Sequence, residues 1–457
     1  MSMGTPFAEH PLRRQVVGEM HLRRFPAIAP PAQTIQLVRL VPPGDRAAER
    51  TALATLPGVG AVEGVRHAEG LWPGSIRATW ERHSEASTVT LTLTDDAALP
   101  LGWTTPAGGP AGGSTDGPAR ARAAEAVRWA EALPGSVIRA TRVLIVADDR
   151  EAEAPVGAAA FRPSHLVSCH VAGGARIWTD FRIHEDGYGR MVVAANGLPA
   201  SDLARCVQRL QELGNYRNLA LLGLPVVQET WPRLDAVEGA LARIGQMLHV
   251  KDRRDDELLD ALTSQSAQLL AAASGCDYRL SATAAYAVIV ADRLAELQVV
   301  PIAGFQSLTD FIGRRFHPAV RTCAALSDRL ALLNGRAAQF TALLRTRIET
   351  HIENQNARLL HSMDRSARLQ LQLQHLVEGL SAVAISYYLL GLIGYPVKAW
   401  EKVHAHPSST LILGLAAPVI VACVFLGMRR IRRRLVPHED SHGNGGNDDG
   451  NAIAEGA

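Results

Sequence analysis

The sequence predicts an α+β cytoplasmic domain followed by a helical region, a long stalk helix and a two-helix transmembrane hairpin. Three observations carry that prediction. Strand-like runs rich in β-branched residues and joined by turn chemistry occur in the first 198 residues of the 457-residue chain. From about residue 199 the apolar residues change to steps of 3 and 4, the helical spacing. Two uncharged runs, 379–397 and 410–428, stand near the carboxyl end, and the second is followed by Arg429, Arg430, Arg432, Arg433 and Arg434, interrupted only by Ile431.

Residues 1–198 read as the α/β domain. "STVTLTLTDD" and "VIRATRVLIVADD" have strand composition, and "ARIWTDFRIHEDGYGRMVVAANG" supplies two more strands with "HEDGYG" as the turn between them. The Gly/Pro-rich stretch 104–120 is expected to be a flexible surface loop, and "ARAAEAVRWAEAL" after it a helix. Residues 199–303 form the helical region, with Ser201 as the expected N-cap and breaks near "ASGCDY" and "VVPIAG".

The stalk covers 304–376. Cys323, Leu326, Leu330, Leu333, Ala337, Phe340 and Leu344 alternate steps of 3 and 4, the pattern of a coiled-coil seam. A continuous helix here would reach about 100 Å, so it is expected to pair with something.

The hairpin is assigned to 377–428. Each apolar run has 19 residues, about the hydrocarbon thickness of a bilayer. Eight Leu, Ile, Val or Phe side chains in the first run favour insertion by about 3–4 kcal/mol, and the second run has ten. Arg365, Arg368 and His375 precede the first run, the arginine cluster follows the second, and the connection between them holds only Lys398 and Lys402 as fixed positive charges. The positive-inside rule then puts both termini in the cytoplasm of a multi-pass bacterial inner-membrane protein. No apolar signal core opens the chain, which agrees with that placement. Trp400 is expected at the interface. Glu378, Ser381, Tyr388 and Tyr395 share one helical face, which should meet protein, a neighbouring subunit or water rather than lipid. A helix–helix seam and an ion path both fit it. Residues 429–457 form a basic and then disordered tail.

Composition narrows the function classes. Net charge is +2, only three lysines occur, and acids balance bases outside the tail, which argues against a nucleic-acid partner. Five scattered cysteines without a CxxC pair read as reduced apolar fillers. No GxGxxG, GKS or GKT loop supports nucleotide use, the early Glu19-Met20-His21 stretch is not an HExxH zinc motif, and no GxSxG elbow occurs. No catalytic set and no cofactor are expected. The candidate metal ligands are His10, Glu19 and His21, and Glu81, His83 and Glu85, which would face one side of a strand. Solvated, salt-bridging side chains are the other reading of both sets.

"HPLRRQVVGEMHLRRFP" (10–26), "WERHSE" (80–85), "TDFRIHEDGYGRM" (179–191), "YRNLALLGLP" (216–225), "GFQSLTDFIGRRFHPAVRTC" (304–323) and "SMDRSARLQLQLQHLVEGLSAVAISYYLLGLIGY" (362–395) resemble the bacterial domain-of-unknown-function family thirty-four twenty-two, described as predicted membrane-anchored proteins. The resemblance implies membrane anchoring and supplies no activity. A looser architectural likeness is to CorA-type magnesium channels, which are pentamers; the chain lacks their Gly-Met-Asn signature, and "GLIGYPV" occupies the comparable place. Two functions are therefore expected: a lipid-anchored homo-oligomer that senses or scaffolds through its cytoplasmic domain, or a two-span divalent-cation channel or transporter.

Overall fold

A computed structural model describes residues 7–19, 26–59, 66–72, 76–94, 102–103, 117–248, 254–401 and 409–435, without side chains at 15, 18–19, 117–120, 401, 409 and 432–435. The loop expected at 104–120 lies largely outside these residues, as do the connection around Lys402 and the tail beyond 435. Two compact units divide the chain, Met1–Leu344 and Arg345–Ala457.

In the first unit the elements are α1 (Arg13–Glu19), β1 (Ala32–Leu40), α2 (Arg46–Leu53), β2 (His67–Trp72), β3 (Ile76–Arg82), β4 (Ala86–Thr94), α3 (Gly117–Glu131), β5 (Ser136–Val146), α4 (Asp149–Ala158), β6 (Val167–Val171), β7 (Ala175–Thr179), β8 (Gly189–Ala194), α5 (Ala200–Leu221), α6 (Gly223–Leu248), α7 (Asp255–Glu296) and β9 (Val300–Pro301). They are followed by α8 (Leu308–Glu401), which continues into the second unit, and by α9 (Ser409–Leu435) within it. The nine strands form one sheet in the order β2-β3-β4-β1-β5-β8-β7-β6-β9. The β5–β8 pair is parallel and its neighbours antiparallel.

Period-two alternation gives each strand two chemistries. On one face Ile35, Leu37, Ala78, Trp80, Val89 and Leu91 pack with Ala126, Val127 and Ala130 of α3 and Leu53 of α2. Further along that face, Leu144, Val146, Val192 and Ala194 pack with Ala152 of α4. Buried polar ties fix these helices: Trp80 Nε1 donates to Glu49 of α2 (3.0 Å), and Arg39 Nη2 donates to Ala130 O at the end of α3 (2.5 Å).

Apart from Arg139 and Thr141 of β5, the opposite face of β5, β8, β7 and β6 is apolar and is covered by α5 through Leu203, Cys206, Leu210 and Leu213, with Tyr286 of α7 and Phe311, Ile312 and Phe316 of α8 packed in the same core. Close approach permits this packing. A Cβ at Gly223 would stand 2.4 Å from Thr283 Oγ1 of α7.

Several sequence expectations are corrected. Helix α5 starts at Ala200 with Pro199 at its cap position, so Ser201 is inside the first turn and caps nothing; the fixed φ of proline already suits that position. Helix α7 runs through "ASGCDY" without a break. Gly275 costs about 1 kcal/mol in a helix, but buried Leu269 before it and Cys276 and Leu280 after it hold the segment in place. Outside the predicted strands, β1, β2, β3 and β6 complete the sheet, and β9 adds a two-residue edge.

The heptad stripe of α8 is buried within the chain. Cys323, Leu326, Leu330, Leu333 and Ala337 interlock with Val227, Leu234, Val237, Leu241 and Ile244 of α6 and with Leu262, Leu269, Cys276 and Leu280 of α7. Its seam is therefore filled by a three-helix packing rather than by another stalk. A capping box starts the helix: Asp310 N donates to Ser307 Oγ (3.1 Å), and Ser307 N donates back to Asp310 Oδ2 (3.3 Å).

In the second unit the continuing α8 is exposed over residues 349–377. Two windows, in α8 and α9, are long and apolar enough to cross a membrane, with mean hydropathy 1.8 and 2.6. Their side chains are uncovered, as Leu380 (73 % exposed) and Leu415 (75 %) illustrate. Only small residues, Ala382, Ser386 and Gly394, are buried on α8 here, and Leu413 of α9 lies against Gly394. Of the five cysteines, Cys169, Cys206, Cys276 and Cys323 are buried and Cys423 is exposed.

Leu326→Ala, at a fully buried seam position, is expected to lower unfolding stability by roughly 2–5 kcal/mol. Leu359→Ala, at a position 60 % exposed, should leave the urea midpoint unchanged. Equal midpoints for the two variants would refute the intrachain seam.

Candidate functional site

Where α5 crosses β1–β4 the sheet face beneath it is polar, and a cleft of about 900 Å³, measured with its open mouth, takes the place of a core. Alternation produces this wall directly. Thr88, Thr90 and Thr92 of β4 point into the cleft, beside Thr34, Gln36 and Val38 of β1 and Arg77, Thr79 and Glu81 of β3. Helix α5 faces them with Gln208, Gln211, Glu212, Asn215 and Tyr216. Its apolar stripe lies to one side of this polar one, so a single helix closes the core and roofs the cleft.

Several polar atoms on these walls are buried without a hydrogen-bond partner among the described residues: Thr34 Oγ1, Thr88 Oγ1 and Gln211 Nε2. Buried polar groups are normally satisfied, so these atoms give the cleft unused donors and acceptors. The arrangement suits recognition of a polar small molecule by hydroxyl and amide groups.

One end of the cleft is closed by the β3–β4 turn. Glu85 accepts two hydrogen bonds from Arg279 of α7 (2.9 and 2.6 Å) and one from Tyr286 Oη (2.9 Å), while Ser84 Oγ stands 3.2 Å from the same hydroxyl. His83 meets Tyr216 edge to face at 6.1 Å, and Tyr216 meets Tyr286 at 5.6 Å. Near β2, His67 Nε2 lies 3.0 Å from Glu69, and Nδ1 lies 3.6 Å from Glu81, an ion-pair rather than a hydrogen-bond distance. Glu81 is the main influence raising the His67 pKa; burial opposes it and Glu69 adds to it.

The floor of the cleft is tied to a buried arginine. Arg139 Nη1 of β5 donates to Gln36 Oε1 (3.1 Å), Gln211 Oε1 (2.7 Å) and Asn215 Oδ1 (2.8 Å). Its guanidinium fits because position 214 is glycine: a Cβ there would stand 2.6 Å from both Nε and Nη2.

The family model described as a protein of unknown function (DUF3422) matches residues 8–435. The chain belongs to the DUF3422 family. No curated protein and no solved structure matches it.

In this DUF3422 chain the described residues contain no cluster of three His, Cys, Asp or Glu side chains arranged to hold a metal. Glu81 and His83 both line the cleft. Strand β3 ends at Arg82, however, so Glu85 lies beyond the strand and turns to Arg279. His10 is exposed and accepts from Leu12 N; the Glu19 side chain and His21 lie outside the described residues. On α8, Tyr388 and Tyr395 are 75 % and 77 % exposed, Ser381 Oγ donates to Val377 O, and Glu378 lies 3.7 Å from His375. Arg429 and Arg430 are exposed; the Arg432, Arg433 and Arg434 side chains lie outside the described residues. Sequence reasoning passed over the threonine wall, whose signal was the every-second-residue Thr of "STVTLTLTDD".

A histidine with a raised folded-state pKa adds stability that is fully present below its ordinary value of 6.5 and is lost as pH rises through the raised value. His67→Gln is therefore expected to cost roughly 0.5–1 kcal/mol between about pH 5 and 6 and little at pH 9, by urea unfolding. A cost that grows with pH would contradict the pairing.

Proposed function

We propose that this DUF3422 protein is a bacterial inner-membrane protein whose cytoplasmic α/β unit acts as a small-molecule sensor or scaffold, anchored by a hairpin of the two apolar helices. The observation that carries the reading is the exposure of both apolar windows over a bilayer's length. A soluble helix of that composition would be buried. Burial of Ala382, Ser386 and Gly394 supports close approach of two helices in lipid, where small residues let backbones meet. The arginines in the last turns of α9, past its apolar run, and the sparse charge between the runs support cytoplasmic termini. The threonine-lined cleft supports a sensing role, because it offers recognition groups without a catalytic set.

Homo-oligomerisation belongs to the same proposal. Its support is the uncovered face of Tyr388 and Tyr395, since phenol hydroxyls within lipid require partners. That face also favours the second reading, a CorA-like divalent-cation channel or transporter, in which it lines a path between subunits.

Under the first reading, full-length protein should sediment with membranes, resist carbonate extraction and keep a reporter fused after its last residue active in the cytoplasm. Soluble protein, or a reporter active outside the inner membrane, would refute it. Reconstituted in liposomes, the protein is expected to pass no magnesium, manganese or cobalt. Divalent flux abolished by Ser381→Ala or Tyr388→Phe would replace the sensor reading with the channel reading.

A further inference from the structure

Behind the amide cluster that floors the threonine cleft lies a second cleft, of about 660 Å³ with its mouth, between β5, β8, the β7–β8 loop and the later turns of α5. Its walls contain four arginines, Arg139, Arg182, Arg190 and Arg217, and no carboxylate. Neighbouring interior arginines are treated differently. Arg142 and Arg190 share Asp186 (3.9 and 3.6 Å), and Arg279 holds Glu85 in a two-pronged pair. Among the described residues, Arg139 and Arg217 form no ion pair.

The donors of these two side chains are also unspent. Arg139 directs Nη1 at three amide oxygens, leaving Nε and Nη2 without a partner among the described residues. Arg217 Nε and Nη2 reach only Asn218 Oδ1, at 3.4 and 3.2 Å, and Nη1 reaches nothing. Aromatic packing fixes where Arg217 sits: its guanidinium lies 4.6 Å over the Phe181 ring, which stacks on Phe311 at 4.4 Å. Phe181 holds this place with φ 52°, in the left-handed region that side chains rarely adopt.

The nearest loop acids are engaged elsewhere. Asp180 Oδ1 accepts from the Arg182 backbone N–H (3.1 Å) and faces His184 (3.3 Å), its Oδ2 is buried without a hydrogen-bond partner among the described residues, and neither Arg139 nor Arg217 pairs with it, while Asp186 serves Arg142 and Arg190. Burial pushes Arg217 down to about 10, and burial with the nearby Arg217 charge pushes Arg139 down to about 9, so both remain cations at neutral pH. Two cations this deep and this close are costly unless an anion joins them.

We propose that the second cleft binds the oxyanion group, phosphate or carboxylate, of a small soluble metabolite between Arg139 and Arg217. Thr141 and the Phe181 ring face the rest of the molecule. Guanidinium forks match the oxygen spacing of such groups. The site is separate from the threonine cleft and does not depend on membrane anchoring, so either reading can fail while the other stands.

The test uses full-length protein in detergent, titrated with inorganic phosphate, pyrophosphate or succinate against sodium chloride of equal ionic strength, following the thermal midpoint and binding heat. At least one oxyanion is expected to stabilise wild type beyond the chloride control. Arg217→Met should weaken that binding roughly 10- to 100-fold, whereas Arg77→Gln in the threonine cleft should not alter it. Arg217→Lys, which keeps the charge and loses the fork, serves if Arg217→Met does not fold, and should also bind more weakly. No oxyanion-specific stabilisation of wild type, or unchanged affinity in the folded Arg217 variant, overturns the proposal.

Discussion

Arg139 is the contact on which the first unit turns. A guanidinium on the central strand β5 is clamped by amide oxygens from β1 and α5. It fixes the height of α5 above the sheet without a carboxylate, and Gly214 is the concession α5 makes to admit it. A neutral clamp leaves the positive charge uncompensated inside the protein. The amides that hold it line the threonine cleft, and its free edge belongs to the arginine cleft, so one side chain both separates the two spaces and joins their walls.

The sheet makes this arrangement possible because its two halves differ only on one face. Under α2, α3 and α4 the central strands present mainly apolar side chains, with Arg39 and Arg142 buried among them. Under α5, the β5–β6 half is apolar and packs apart from Arg139 and Thr141 of β5, while the β1–β4 half carries threonine and glutamine and stays open. Threonine serves both needs: its branched Cβ suits a strand, and its hydroxyl withholds the face from the core. The turn carrying Glu85 then fastens the open half to α7, so the cleft keeps its shape although no apolar core fills it.

Local pattern exposed part of this in the sequence. The β-branched run of β4, the long strand β5, the β7–β8 pair with its turn, and the unbroken entry of α8 into an apolar window all follow from composition and spacing over neighbouring residues. What stayed hidden was pairing at a distance. The seam from Cys323 to Ala337 has the same heptad spacing whether its partner is another chain or α6 and α7, and only the fold decides. Glu81, His83 and Glu85 look equivalent until β3 ends at Arg82 and the turn sends Glu85 to Arg279. Arg139 and Arg217 lie far apart in sequence, and nothing near either one marks it as lacking an acid.

The cysteine distribution has a practical consequence. Burial drives the Cys169 thiol up to about 11 and that of Cys206 up to about 12, and Cys276 and Cys323 are locked among the three packed helices. Cys423, on α9, is the sole thiol left uncovered by the chain. An unmodified protein therefore carries a built-in labelling position in its most apolar helix, where maleimide reagents of graded lipid solubility can report the surroundings of that helix without any engineered residue.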